Sequence, residues 1–299
     1  MKEAEIVARL RELFPRVGDD AAVVGEQVIT TDMLIEDVDF TRSIETRFIA
    51  RKSLAVNLSD LAAMGARPLH AVVAVGIPEW LDVNAFFDAL AAAAKEWRIE
   101  IVGGDLSKAD KLIISVTAIG EAKQPLMRSG ARAGDRVYVS RPIGGSAAGL
   151  QFLMNPPQTT AYMQREVVES AIRRHVDPEP ELDLGLRLAG VATSCIDISD
   201  GLSTDLHHLC EASNVGARIE RARIPVFPGL TEARLGIDVR KAVLHGGEEY
   251  ALLFTSPLRE AELSAKVRRP VYAIGRINAG REVLLDGEPL EAGGFDHFA

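Results

Sequence analysis

Six short acidic motifs constrain this chain more than any other feature of its sequence. Most of them follow an apolar run and carry glycine, serine or threonine beside the carboxylate, a pattern typical of strands that end in turns. A fold that gathers such turns would aim several short carboxylates into one space. The motifs are GDDAA at residues 18–22, TTD at 30–32, NLSDLAAMGA at 57–66, VGGD at 102–105, IDISDGL at 196–202 and HGGEEY at 245–250.

Carboxylates gathered in this way need positive charge around them. Two of them about 4 Å apart repel each other by about 4 kcal/mol at an effective dielectric constant near 20. A cluster therefore persists only with bound protons or cations. Mg²⁺ suits it, because this ion binds through a few carboxylates together with substrate phosphates. The motifs predict an enzyme of metal-assisted phosphoryl transfer.

Length, composition and charge narrow the class of protein. The 299 residues, 47% hydrophobic and 26% charged, suffice for two globular domains. A net charge of −9 argues against nucleic acid or an anionic membrane as partner, but leaves room for a local phosphate pocket. Cys195 and Cys210 form neither a disulfide framework nor a metal spacing, and no apolar run approaches the roughly 20 residues that span a bilayer. Residues 1–14 have the pattern of an amphipathic helix rather than a signal peptide, so we expect a cytoplasmic protein.

The order of helical and strand patterns predicts the α+β class. Helical spacing covers residues 46–64, with Gly65 as the stop, and apolar runs predict strands at 71–77 and 112–120. Strands and helices mix without strict alternation, which favours α+β over a doubly wound sheet. A basic, glycine-rich stretch at 121–135 is typical of a junction between two domains.

This junction predicts an N-terminal domain of residues 1–130 and a C-terminal domain of residues 131–299. In the N-terminal domain, residues 27–31 are expected to form a strand that ends in the TTD turn. Residues 99–102 are expected to form another, which runs into the glycines of VGGD.

Each acidic motif alone has a structural alternative. Asp32 either binds a metal or closes a turn after its strand. Asn57 and Asp60 share one helix face, as a buried structural pair or as part of a metal site. Two glycines before Asp105 allow a phosphate to approach the backbone, but many hairpins contain the same sequence.

The IDISDGL motif is the most informative of the six. It places three side-chain oxygens, of Asp197, Ser199 and Asp200, beside the positive end of a helix. Helix capping explains one of these oxygens but not all three. In HGGEEY, Glu248 either binds a cation or polar substrate group, or lies on an exposed strand edge.

Other nucleotide and hydrolytic motifs are missing from the sequence. It has no G-x-x-x-x-G-K-[ST] phosphate loop and no protein-kinase signature set. It also has no Cys/His cluster for zinc and no serine or cysteine elbow of a hydrolase.

Taken together, the motifs resemble those of the thiamine-monophosphate kinases, in the aminoimidazole-ribonucleotide-synthetase-like superfamily. GDDAA, TTD, LAVNLSDLAAMGARP, VGGD, RSGARAGD, IDISDGLSTDL, HGGEEY and GFDHF follow the family's order over nearly the whole chain. The resemblance implies a two-domain PurM-like fold, with a C-terminal α/β sandwich and an N-terminal sheet that pairs into a barrel across a homodimer. It also implies Mg²⁺, ATP as co-substrate, and transfer of the γ-phosphoryl group to thiamine monophosphate to give thiamine diphosphate and ADP.

The same resemblance assigns roles to individual residues. The positions that match metal ligands are Asp20, Thr30, Thr31, Asp32, Asp60, Asp105, Asp197 and Asp200. The positions that match ATP contacts are Gly104, Asp105, Arg128 and Ser199, and those that match substrate contacts are Asp39, Glu248 and Phe295. No residue is assigned as a general base, because an ionised acceptor phosphate needs none.

Two residues leave alternatives open. Many family members have His where this chain has Asp39, which either binds the cationic thiazolium or is simply solvated. Phe295 either stacks on the acceptor's ring or plugs the C-terminal domain. The alternative functions are another ATP-using synthetase of the superfamily, or a non-catalytic regulator that binds Mg²⁺ and nucleotide.

Overall fold

The computed structural model describes residues 3–14, 16–158, 162–232 and 235–295, which form two β-sheets with attached helices. The helices are α1 (Glu3–Leu13), α2 (Thr46–Ala63), α3 (Val83–Glu96), α4 (Gly145–Met154), α5 (Tyr162–Val176), α6 (Leu182–Leu188), α7 (Leu202–Ser213), α8 (Val239–His245) and α9 (Glu260–Val267). The strands are β1 (Ala22–Val24), β2 (Gln27–Ile35), β3 (Arg67–Ile77), β4 (Glu100–Lys108), β5 (Ile113–Glu121), β6 (Arg136–Val139), β7 (Ser194–Asp197), β8 (Gly216–Ile219), β9 (Leu252–Ser256), β10 (Tyr272–Asn278), β11 (Val283–Leu285) and β12 (Glu288–Pro289). Within these ranges, no helix combines the length and apolarity needed to cross a bilayer.

The first sheet has the strand order β1-β2-β5-β3-β4. Its pairs are antiparallel except for β3 and β4. One face packs on α2 and α3, where Leu54, Phe86 and Val116 are buried. The opposite face is open in the single chain and leaves Met33 54% and Val72 37% exposed.

The second sheet has the order β12-β11-β8-β10-β6-β9-β7 and is covered on both faces. On one face Val137, Ile196 and Leu206 pack together with α7 and α8. On the other face Tyr138 and Phe254 pack with α6 and α9. The two sheets and their helices confirm the predicted α+β class.

Helix α2 takes part in both halves of the molecule. Its residues Leu54 and Leu58 belong to the core under the first sheet. Ala62 and Ala63, at its end, belong to the core beside the second sheet. The predicted stop is confirmed, because Gly65 has the left-handed φ of +62°.

Two predicted strand ends are wrong. Strand β2 continues through TTD, because Leu34 extends the alternation in which every second side chain packs toward α2. Strand β4 continues through VGGD, since it pairs with β3 on both sides of a register shift near Val102. Glu248 lies outside the strands, since β9 begins only at Leu252.

Candidate metal and phosphate site

Three aspartates from distant parts of the chain converge between the two sheets. Asp20 precedes β1, Asp60 lies in the last turns of α2, and Asp197 ends β7. One carboxylate oxygen from each lies within 4.8 Å of the others. The fold therefore joins motifs that are far apart in the sequence into one acidic cluster.

Hydroxyl groups orient two of these carboxylates. Thr30 Oγ1 donates to Asp60 Oδ2 at 2.5 Å, and Ser59 Oγ donates to Asp197 Oδ2 at 2.5 Å. Asp60 thus reaches the first sheet, whereas Ser59, its neighbour on α2, reaches the second. The helix fixes the distance between the two carboxylates.

Arg128 supplies positive charge to the cluster. Its guanidinium donates to Asp20 Oδ1 at 2.7 and 3.1 Å, and its backbone N–H donates to Asp19 Oδ1 at 3.0 Å. The other oxygen of Asp20, Oδ2, is buried without a hydrogen-bond partner. An orphaned carboxylate oxygen in a cluster of hard oxygen donors fits a cation such as Mg²⁺.

Burial and mutual repulsion raise the pKa values of these carboxyl groups. Burial, together with Asp19 and Asp32, raises the pKa of Asp20 to about 6 against the opposing effect of Arg128. Burial and Asp20 raise the pKa of Asp197 to about 8, and burial with Asp32 raises that of Asp60 well above its usual range. Without a cation, the site therefore retains protons near neutral pH.

We expect metal-free protein to lose stability as the pH rises from 6.5 to 8. Asp197 has a usual pKa of 3.8 and a folded pKa of about 8, so the folded state must release a proton that the unfolded state has already lost. His175 does not mask this effect, because burial lowers its pKa from 6.5 to about 4 and its contribution to stability changes mainly below pH 6.5. Thermal unfolding in EDTA should show a fall on the order of 5 °C.

Excess Mg²⁺ is the control for this experiment, because a cation bound at the cluster would compensate the ionised carboxylates. We expect it to flatten the pH dependence. A melting temperature that stays constant or rises with pH in EDTA would contradict the assignment.

Asp32 lies beside the cluster rather than within its closest group. Its backbone N–H donates to Asn57 Oδ1 at 3.0 Å, and Asn57 in turn donates to Ser53 O at 3.0 Å. Asn57 is therefore a structural residue that fixes β2 against α2. Burial, Asp39 and Asp200 raise the pKa of Asp32 to about 6, so these three carboxylates also affect one another.

The IDISDGL loop and the C-terminal segment lie together. The Phe295 N–H donates to Asp200 O at 3.2 Å, and the Gly294 N–H donates to Thr204 Oγ1 at 3.0 Å. A Cβ on Gly294 would lie 2.2 Å from Asp200 O, so only glycine allows this approach. Phe295 is 55% exposed, which argues against its being a plug in the core. Residues 296–298, which complete GFDHF, lie outside the described residues.

The HGGEEY loop lies on the same side of the second sheet. The Glu248 N–H donates to Ser199 O at 2.7 Å, which joins this loop to IDISDGL. The Glu248 carboxylate is partly exposed and contacts Lys52 and His175. The predicted ATP contact Ser199, the predicted metal ligand Asp200 and the predicted acceptor contacts Glu248 and Phe295 are thus neighbours.

Comparisons with known proteins show the family to which this chain belongs. The AIR synthase related protein N-terminal domain matches residues 18–122, and the C-terminal domain of the same group matches residues 132–286. Thiamine-monophosphate kinase of Aquifex aeolicus (strain VF5) is 34% identical over 94% of this chain and 92% of its own length. The protein of that name from Escherichia coli (strain K12) is 36% identical over 95% and 91%. This chain belongs to the thiamine-monophosphate kinase family.

A solved structure of this family gives a similar picture of the fold. It is described as "AaThiL complexed with AMPPCP and TMP" and is 32% identical to this chain. It covers 99% of this chain and 97% of its own, with a TM-score of 0.91. The similarity therefore includes both sheets and the region between them.

Two metal positions implied by the family resemblance are not brought into the cluster by the single chain. The Thr31 hydroxyl lies on the open face of the first sheet, where it accepts from Thr117 Oγ1 at 3.1 Å. Asp105 lies on the same open face, because it pairs with Ala74 in β3. Three strand spacings, roughly 14 Å, separate its strand β4 from β2.

Glycine is required at position 104 because the backbone of the neighbouring strand lies very close to it. A Cβ there would lie 1.8 Å from Val73 O, so any side chain would disrupt the pairing of β4 with β3. The exposed backbone of this strand remains accessible to a ligand.

The site residues predicted from the sequence do not include Ser59 and Lys52. Both lie on α2, seven residues apart, and therefore point from nearly the same face of the helix. Ser59 contacts Asp197, and Lys52 contacts Glu248. Helical periodicity, extended from the Asn57 and Asp60 pair to this second polar stripe, is the signal that could have found them.

Proposed function

We propose that this chain transfers the γ-phosphoryl group of ATP to thiamine monophosphate, giving thiamine diphosphate and ADP. The observation that carries the proposal is the convergence of Asp20, Asp60 and Asp197 around an orphaned oxygen. The supporting comparison is the family member described with AMPPCP, a non-hydrolysable ATP analogue, and TMP, and it resembles this chain over its whole length.

The residues that would hold magnesium ions are grouped by the fold. Asp20, Asp60 and Asp197 form the central group, with Thr30 on Asp60 and with Asp32 and Asp200 beside them. When bound there, the ions compensate the charge of the donor and acceptor phosphates.

Arg128 is proposed to orient the ATP phosphates. Its guanidinium is mostly buried and pairs with Asp20 through a single carboxylate oxygen, so its other N–H groups are available for a phosphate. Gly104 and Ser199 complete the proposed ATP contacts. The transfer is direct and in line, with no covalent enzyme intermediate and no general base, because the acceptor phosphate is largely ionised near pH 7.

Mass spectrometry of the products tests this function. The protein is incubated with Mg²⁺ and ATP, alone or with thiamine monophosphate or another phosphate acceptor. We expect ADP and thiamine diphosphate to form only in the presence of both substrates, and EDTA to stop the reaction. ADP release that does not need thiamine monophosphate, or no release at all, would refute the proposal and favour a synthetase or a regulator.

We also propose a homodimer in which the N-terminal sheets pair into a shared barrel. The open face of the first sheet exposes Met33 and Val72, and strand β4 is exposed along almost its entire length, including Leu106. An exposed, apolar edge strand is normally covered by another chain. Light scattering at micromolar concentration should give twice the chain mass of 32.3 kDa, and a monomeric mass would contradict the proposal.

The dimer would also bring Asp105 to the site. Among the described strands, β1 covers only the first residues of β2, so residues 30–35 have a free outer edge. Strand β4 of a second copy beside that edge would lie one strand spacing from β2, with its Asp105 on the face that Thr31 occupies. We propose that residues 1–130 form this metal-binding, ATP-binding and dimerisation domain, and that residues 131–299 form the other.

The acceptor end of the site is proposed to consist of Asp39, Glu248 and Phe295. Asp39 interacts with Asp32 and accepts a hydrogen bond from the Ile35 N–H at 2.7 Å. A carboxylate at this position would attract a cationic thiazolium ring more strongly than it would attract a neutral ring.

Phe295→Ala is expected to raise the KM for thiamine monophosphate by roughly 5- to 150-fold, because one aromatic contact is worth about 1–3 kcal/mol. The KM for ATP should change little, since Phe295 is exposed beside the Asp200 loop and is not buried in a core. Steady-state kinetics with each substrate varied in turn make the measurement. Equal increases in both KM values, or a large fall in melting temperature, would contradict the stacking role.

A further inference from the structure

The backbone around Glu248 is held in an unfavourable conformation. Glu248 and Tyr250 have φ values of +58° and +47°, which non-glycine residues rarely adopt. The Arg141 guanidinium donates to Glu249 O at 2.7 Å and to Tyr250 O at 2.8 Å, and so fixes this segment. Strain of this kind persists only where the surrounding structure enforces it, and it is common at functional sites.

Two buried side chains from other elements fix the Glu248 carboxylate. Lys52 of α2 is 1% exposed, and its Nζ lies 2.5 Å from Glu248 Oε1. His175 of α5 is 3% exposed, and its Nδ1 lies 3.2 Å from Glu248 Oε2 and 3.1 Å from Ser146 Oγ. Both carboxylate oxygens therefore have a partner.

The charges in this group favour an ionised carboxylate. Burial opposes ionisation of Glu248, but the charge of Lys52, with hydrogen bonds from Lys52 and Tyr250, outweighs it and holds the pKa of Glu248 below the usual range. Burial and Lys52 lower the pKa of His175 to about 4, so the imidazole is neutral at pH 7. Lys52 is then the cation that balances Glu248, whose side chain remains 28% exposed.

We propose that Lys52 is a positioning residue for the acceptor, which it orients by holding the Glu248 carboxylate against the back of the site. The inference rests on the proposed function, in which Glu248 contacts thiamine monophosphate. That acceptor carries a cationic thiazolium ring and an aminopyrimidine, and both suit an ionised carboxylate with one open side. Lys52 reaches no substrate itself and acts through Glu248.

A double-mutant cycle tests this role. Lys52→Met, Glu248→Gln and the double variant are compared with the original protein in KM for each substrate, in kcat and in melting temperature. We expect Lys52→Met to raise the KM for thiamine monophosphate at least about tenfold and that for ATP less than about twofold. In the Glu248→Gln background, the same substitution should have no further effect on either KM.

The pH profile and stability separate positioning from folding. Without Lys52 the pKa of Glu248 should rise, so the KM for thiamine monophosphate should fall as the pH increases in Lys52→Met only. If that variant is too unstable for kinetics, the double variant contains no unpaired buried charge, and any difference between its KM for thiamine monophosphate and that of Glu248→Gln would overturn the inference. Arg51→Met is the matched control, since Arg51 is the neighbour of Lys52 on α2 and pairs with Glu96 and Asp177 outside the site.

The possible outcomes are distinct. An unchanged KM in Lys52→Met, or effects of Lys52→Met and Glu248→Gln that add fully in the double variant, would overturn the inference while the original protein remains active. Failure of the original protein to phosphorylate thiamine monophosphate would overturn the proposed function, and the inference with it.

Discussion

Asp60→Asn is expected to lower turnover by about 1000-fold or more while it raises the melting temperature of the metal-free protein. Asp60 contributes a carboxylate to the central group, so its loss removes several kcal/mol of metal-dependent stabilisation of the transition state. The amide keeps the shape of the side chain and still accepts from Thr30. It also removes a carboxyl group whose ionisation in the folded state is opposed by burial, Asp32, Asp197 and Asp20, and the relief of that cost is worth on the order of 1 kcal/mol of stability.

Kinetics at limiting Mg²⁺ and thermal unfolding in EDTA measure the two effects together. Asp88→Asn on α3 is the matched control, because it removes the same charge from an exposed position, and neither quantity should change. Asp200→Asn should also lower turnover by orders of magnitude. Near-normal rates for Asp60→Asn at limiting Mg²⁺ would show that the central group is not the metal site.

Two inactive variants are expected to restore activity when they form mixed dimers. Asp105→Asn should be nearly inactive, and so should Asp60→Asn. If Asp105 of one copy serves the site of the other, a mixed dimer contains one site with both residues intact. Random mixing in equal amounts should therefore recover about a quarter of the original activity per site.

Activity measured after the two variants are unfolded and refolded together makes this test, with each variant refolded alone as the control. Recovery would show that the site is completed in trans. No recovery, with light scattering showing dimers, would place Asp105 in its own chain's site or outside any site.

The sequence predicted the α+β class and the helix that ends at Gly65, because these depend on local periodicity and on one left-handed residue. It did not predict where β2 ends. The TTD motif has turn-forming residues, but Thr30 and Asp32 follow the two-residue period of Val28 and Leu34 toward α2. Polar residues can therefore lie within a strand when another element supplies hydrogen-bond partners. Here Asp60 accepts from the Thr30 hydroxyl, and Asn57 accepts from the Asp32 N–H.

The sequence predicted the acidic residues of the candidate site but not the residues that hold them in place. An aspartate beside a glycine is a recognisable pattern for a metal or phosphate ligand. A lysine in an apolar helix is expected to extend its charge to solvent, and only the position of Glu248 explains why Lys52 is buried. The location of Asp105 outside the cluster depends on strand order, which local sequence does not encode.

The sharing of α2 between both cores has a consequence for how the protein unfolds. The helix contributes Leu54 and Leu58 to one core and Ala62 and Ala63 to the other, and Gly185 of α6 packs so closely that a Cβ would lie 2.1 Å from Ala62 O. Neither half can lose its structure without exposing part of the other. We therefore expect a single cooperative melting transition, with amide protons of α2 among the slowest to exchange, and separately expressed halves that do not fold.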